Sequence, residues 1–209
     1  MRILDGGCRV TDLKEGEPVR DGDLLIWDHF NEKISLRVLE LDGRATIHNE
    51  SSDEVLYVIA GSGNVAIDHG VYVPAGVAFE ISGTMTIVSS RCPAESDGEL
   101  QIVSMLDCPA QQTGDRWYRE TIRRQITQFV GSIPPGRAPD HFHLYEEVLC
   151  ILDGEGEMWA GTSHTPIATG SCVFLPRRQV HCVENRGSGP LRLLGVFYPA
   201  GSPAVRYSA

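Results

Sequence analysis

Apolar residues come along this chain in short bursts. The stretches KISLRVLELDG, EVLYVIAGSG, TMTIVSSR, ELQIVSML, QFVGSIPPG, EVLCILDGEG, SCVFLP and LRLLGVFYPAG are rich in branched side chains and bounded by Gly, Pro, Asp or Ser. Short apolar runs with frequent turn residues predict β-strands, and many of them in series predict an all-β sandwich or barrel. One stretch is ambiguous. DRWYRETIRR, residues 115–124, reads as a helix or equally as an extended arm, and it falls where two halves of the chain would join.

The bursts are not independent. HNESSDEVLYVIAGSG and HFHLYEEVLCILDGEG align without a gap. A constant offset of 93 carries His48 onto His141, Glu54 onto Glu147, and Val55 and Leu56 onto Val148 and Leu149. The same offset carries Gly61 and Gly63 onto Gly154 and Gly156. An ordered set of matches predicts two copies of one β unit, divided as residues 1–110 and 111–209. The register singles out Glu147 as the counterpart of Glu54. It leaves Glu146 facing solvent or the mouth of a pocket.

That repeat contains the chain's most suggestive chemistry. His141 and His143 are two residues apart, so on a strand they project from one face. On a helix they would point about 200° apart. Glu147 follows across a short turn, and His181 follows a further apolar strand and a Pro turn in GSCVFLPRRQVHCVEN. Neutral imidazoles and a carboxylate facing an apolar interior are costly to desolvate unless something compensates them, and a bound cation would. Three nitrogens and one oxygen suit Mn, Fe, Co, Ni or Zn and not the oxygen-seeking Ca or Mg. One such divalent transition metal is the expected cofactor, acting as a Lewis acid or an electron-transfer centre.

These residues resemble the cupin family, and their duplication resembles a bicupin. The first cupin motif, G-x5-H-x-H-x(3-4)-E-x6-G, is matched by Gly136, His141, His143, Glu147 and Gly154, with one residue fewer before His141. The second, G-x5-P-x-G-x2-H-x3-N, is matched by Gly170, Pro176, His181 and Asn185, with Arg178 where the motif has glycine. The resemblance implies two tandem jelly-roll β-barrels, with His141, His143, Glu147 and His181 as metal ligands in the second. The first copy departs from the pattern. Glu50 stands in place of the second histidine and Phe79 in place of the last, while Pro74 and Gly76 persist. A phenyl ring cannot ligate a metal, so the first barrel is expected to keep its fold without the site, and His48, Glu50 and Glu54 to be structural.

Candidates for contacting a substrate are Tyr145, Trp159, Phe174 and Tyr198 as aromatic walls, and Arg137 and Arg178 as groups able to reach an anion. Each also reads as ordinary core or surface. Cys182 follows His181 directly and should face away from the metal. No C-x-x-C pair occurs among the six cysteines, which read as small buried hydrophobes. A net charge of −10 argues against nucleic acid or an anionic membrane surface as partners. No apolar stretch reaches signal-peptide or membrane-span length, so a cytoplasmic location is expected, with a small-molecule substrate and a homodimer as the expected partners. The expected function is a metal-dependent enzyme acting on a small polar organic substrate, of dioxygenase, decarboxylase or isomerase type. A non-catalytic small-molecule-binding or sensing protein is the alternative.

Overall fold

The computed structural model describes residues 1–94 and 98–208. Among them the chain is built almost wholly of antiparallel strands in three sheets, with two single-turn 3-10 segments. Residues 115–124 resolve to the extended alternative: Arg116–Arg123 is a strand paired with Thr127–Ile133. Its apolar side chains serve two cores on opposite faces. Tyr118 enters one and Ile122 the other, four residues on, because a bulge between Glu120 and Ile122 changes the parity of the strand. One face of a helix could not supply both.

The first half forms a seven-stranded sheet in the order Val19–Asp21, Leu24–Asn31, Ser35–Ile47, Phe79–Pro93, Ser52–Gly63, His69–Val73, Gln101–Ser104. The second half contributes most of an eight-stranded sheet. Its order is Arg2–Ile3, Arg9–Asp12, Ser171–Leu175, Glu146–Asp153, Leu191–Tyr198, Thr127–Ile133, Arg116–Arg123, Gln111–Thr113. The start of the chain therefore crosses over: Val10 pairs with Val173 and Thr11 with Cys172. The third sheet runs Ser163–Ala168, Glu155–Ala160, His181–Asn185, His141–Phe142, Tyr207–Ser208, with Gly136–Arg137 also on His181–Asn185.

The eight-stranded sheet lies between the other two. On Glu146–Asp153, Val148 and Cys150 pack with Leu36, Val55 and Tyr57 of the first half. Leu149 and Ile151 pack with Met158, Val183 and Phe197 inside the second half. Both faces are buried, which is why EVLCIL reads as an unbroken apolar run. Each fully buried Val, Leu or Ile contributes about 1.5–3 kcal/mol, so this one strand anchors two cores. A third core, with Leu39, Leu56, Val71, Phe79 and Ile81, fills the first half.

The repeat is legible in the backbone. Gly61 and Gly154 share a left-handed conformation, with φ of 94° and 97°. Gly76 and Arg178, at matching places in the Pro turns, have φ of 74° and 62°. Arg178 thus keeps a conformation that glycine adopts freely and that costs an L-residue about 1–2 kcal/mol. The six cysteines are buried free thiols, as expected from their spacing.

Candidate metal centre

His141 and His181 face each other as register partners on adjacent strands of the third sheet. His143 follows two residues after His141, and the ring centroids of the three imidazoles lie 4.5–5.4 Å apart. One ring nitrogen from each lies within 4.8 Å of the others, so the three form a cluster that could hold an ion. Glu147 enters from the facing sheet. Its Oε2 is 3.8 Å from His143 Nε2 and 3.5 Å from His181 Nε2.

The hydrogen bonds around the rings fix which nitrogens point inward. His141 Nδ1 lies 3.0 Å from the Pro139 carbonyl, His143 Nδ1 3.0 Å from that of Val205, and His181 Nδ1 2.8 Å from that of Gln179. A carbonyl only accepts, so each Nδ1 carries the proton and each Nε2 presents a lone pair. The three lone pairs therefore point towards the Glu147 carboxyl group. The Glu147 oxygen is buried and makes no hydrogen bond. Two ligands each about 2.1 Å from a shared ion sit roughly 3–4 Å apart, which is the separation seen here and too long for a hydrogen bond.

The electrostatics agree. Burial pushes Glu147 up to about 8. Burial likewise holds His143 down at about 4 and His181 well below the usual imidazole range. His141 is lowered too, first by burial and then by the Arg206 and Arg116 charges. An isolated set of this kind is expensive to keep in the fold; the donor types and the orphaned oxygen fit a divalent cation.

Second contacts hold the rings in place. Tyr145 stacks on His143 with centroids 4.9 Å apart and donates its hydroxyl to the carbonyls of Ser202 (2.9 Å) and Val205 (3.3 Å). The Arg178 amide donates to the His143 carbonyl at 2.7 Å. Tyr145 and Arg178 therefore support His143, one by its ring and one by its backbone.

The remaining expected substrate residues are placed elsewhere. Arg137 lies over the Trp159 ring at 4.1 Å, Trp159 stacks on His164, and Arg137 Nε meets Cys182 Sγ at 3.4 Å. This group sits on the outer side of the third sheet, where Cys182 faces away from the imidazoles as expected. Phe174 and Tyr198 pack into the core between the two halves, on the opposite side of the eight-stranded sheet from Glu147. Glu146 does not face solvent or a pocket mouth. Its Oε2 accepts the Ile34 amide at 3.1 Å and so ties the second half to the first.

The cavity that contains the imidazoles and Glu147 has a volume of about 90 Å³ and largely apolar walls, among them Tyr118, Phe129, Leu193 and Phe197. Arg116 and Arg206 also line it. Sequence reasoning missed both arginines. Neither lies near a motif, and they arrive from the strand after Gln111–Thr113 and from the C-terminal tail.

In the first half the equivalent carboxylate has a different environment. Glu54 is fully buried and accepts hydrogen bonds from Arg37, Arg91, Ser89 and Asn49. Two guanidinium groups, from the strands Ser35–Ile47 and Phe79–Pro93, neutralise it. His48 is partly exposed beside Glu50, and Phe79 belongs to the apolar core.

Residues 129–197 match the family model described as cupin domain, and the neighbours in fold are cupin-fold proteins. A Pseudomonas aeruginosa protein described as a "Putative Glyoxylate Induced Protein" superposes with a TM-score of 0.80 at 14% identity, covering 98% of this chain and 94% of that one. YlbA of E. coli gives 0.77 at 10% identity, covering 96% and 95%. A mutant oxalate decarboxylase of Bacillus subtilis gives 0.76 at 12% identity, covering 92% and 78%. Among curated proteins, an uncharacterized protein of Methanocaldococcus jannaschii is 33% identical over 54 residues, which is 26% of this chain and 43% of that protein. The chain thus matches less than half the length of that relative. No helix is long and apolar enough to cross a membrane among the described residues.

Proposed function

We propose that the chain is a bicupin whose second barrel is a metal-dependent enzyme acting on a small polar organic substrate. The barrels divide near residue 110, with residues 2–12 lent to the second. His141, His143, His181 and Glu147 hold one ion of Mn, Fe, Co, Ni or Zn. The first barrel is a scaffold.

The observation that carries this reading is the contrast between two buried carboxylates at repeat-related positions. Glu54 is satisfied by Arg37 and Arg91, whereas a Glu147 oxygen has no partner and faces imidazole lone pairs. The ion supplies Lewis-acid polarisation, or electron transfer if it is Fe or Mn. The chain's own residues do the rest. Carbonyls of Pro139, Val205 and Gln179 fix the imidazole tautomers, a second layer of contacts that keeps ligands aimed. Apolar walls from Phe129, Leu193 and Phe197 line the space of about 90 Å³ beside the imidazoles. Such a space takes a substrate of a handful of non-hydrogen atoms. Decarboxylation, oxidation by dioxygen and isomerisation all suit such a site, and the oxalate decarboxylase among the neighbours makes the first of these the one to assay first.

The test is turnover. Protein loaded with each metal in turn is assayed for oxygen uptake and carbon dioxide release against small organic acids and phenolics. We expect activity with at least one metal, and its loss in Glu147→Gln. Turnover surviving in Glu147→Gln, or in metal-stripped protein, would refute the reading.

A further inference from the structure

Two cations in this cavity have no settled counter-charge. Arg116 has a side chain only 14% exposed, and its Nε is buried without a hydrogen-bond partner. Its nearest acid is Asp115, 4.0 Å away and largely in solvent. Arg206 donates to Thr113 Oγ1 at 2.9 Å, and among the described residues no carboxylate lies within ion-pair distance of it. Both line the space that contains His141, His143, His181 and Glu147. Arg37 and Arg9, by contrast, are tied to acids, Arg37 to Glu54 and Arg9 to Glu32 at 2.7 Å. In a chain of net charge −10, leaving two guanidinium groups without fixed acids beside an apolar cavity is a costly arrangement that a bound anion would offset.

We propose that Arg116 and Arg206 are the anion-binding pair of this cavity and that its ligand class is a small carboxylic acid. The proposal rests on the reading of the cavity as a metal-dependent site, because the ligand's other oxygen would then lie towards the imidazoles. A planar guanidinium matches a carboxylate with paired hydrogen bonds, which an ammonium does not. A cavity of about 90 Å³ suits a small acid, such as one of two to four carbons. Thr113 is a positioning residue, because its hydroxyl pins Arg206 and with it the C-terminal tail against the Gln111–Thr113 strand. Ser202 and Val205, on the same tail, receive the Tyr145 hydroxyl. The tail therefore brings the anion-binding charge and the support for His143 to the cavity together.

Calorimetric titration of the metal-loaded full chain tests this with acetate, oxalate, glycolate, malonate and succinate, each beside its neutral amide, and with inorganic phosphate. We expect at least one acid to bind and its amide not to. Arg116→Gln and Arg206→Gln should each weaken that acid about ten- to a hundredfold, with metal content and melting temperature close to wild type. Arg206→Lys should recover only part of the loss, and Thr113→Val should show a smaller one. The proposal is overturned if no acid binds, if amides bind as well as acids, if phosphate alone binds, or if both arginine variants keep full affinity. Metal content is read on the same samples and separates the two claims. Arginine-dependent acid binding in a chain that takes up no metal sinks the metal reading and leaves this one standing. Normal metal uptake with arginine-independent binding does the reverse. Should either glutamine variant fail to fold, the lysine variant and Thr113→Val decide.

Discussion

Glu54 and Glu147 occupy matching places in two related halves, and their surroundings assign them opposite tasks. Glu54 closes a buried network with Arg37 and Arg91. Removing its charge in Glu54→Gln leaves guanidinium groups unpaired, so we expect a loss of about 3–5 kcal/mol, read as a fall in melting temperature of roughly 10 °C, with metal content per folded chain unchanged. His48→Ala should change neither quantity. Glu147 behaves differently with pH. In the metal-free fold its carboxyl stays protonated up to about 8 against an ordinary value of 4.5, so folding takes up a proton between those values. The metal-free chain therefore loses stability as pH rises from about 4.5 to about 8, and a cation must displace that proton at pH 7. His143, held at about 4, is already neutral there and does not compete. Apparent metal affinity should climb about tenfold per pH unit up to about pH 8 and level off above, measured by competition with a chelating indicator. A flat profile would show that Glu147 is not a ligand.

Single strands and turns carry the next set of consequences. The turn at Arg178 has the left-handed geometry of its counterpart Gly76. Arg178→Gly should therefore raise stability by about 1 kcal/mol, or roughly 2–4 °C, without altering metal content or ligand affinity. A loss of ligand affinity in that variant would mean that its side chain, and not only its amide, serves the site. The Glu146–Asp153 strand shows what sequence could and could not reveal. The offset of 93 singled out Glu147 over Glu146 from the sequence alone, and the structure puts Glu147 on the face of Leu149 and Ile151, beside the imidazoles. For Phe174 and Tyr198 the sequence left substrate wall and core both open, and the structure places them in the core. Which face they occupy depends on cross-strand register, Val148 with Phe174 and Glu146 with Tyr198, and no local pattern encodes that pairing. Trp159 was open in the same way, and it shares the outer face with Cys182, its register partner. The bulge after Glu120 was equally invisible, because a parity change within a strand mimics helical spacing. Glu146→Ala should cost about 1–2 kcal/mol, since it strands the Ile34 amide between the halves, while metal content holds.

At the scale of the whole molecule, one sheet works for both halves. The eight-stranded sheet packs the first half on one face and encloses the cavity on the other, and it is completed by Arg9–Asp12 from the far end of the chain. This crossing, like Arg116 and Arg206, joins residues remote in sequence, so motif spacing could not foresee it. The histidines and Glu147 were legible because their positions follow from local strand periodicity and from a repeat. The first half shows that the fold survives without the cluster, its carboxylate neutralised by arginines. His143→Ala should therefore remove metal yet leave a cooperatively folded chain. The most direct measurement is elemental analysis of the full chain after saturation with a transition metal and mild chelation, compared between wild type and His143→Ala. One equivalent per chain in wild type and essentially none in the variant is the predicted result; no retained metal in wild type, or a second equivalent as resistant as the first, would contradict it.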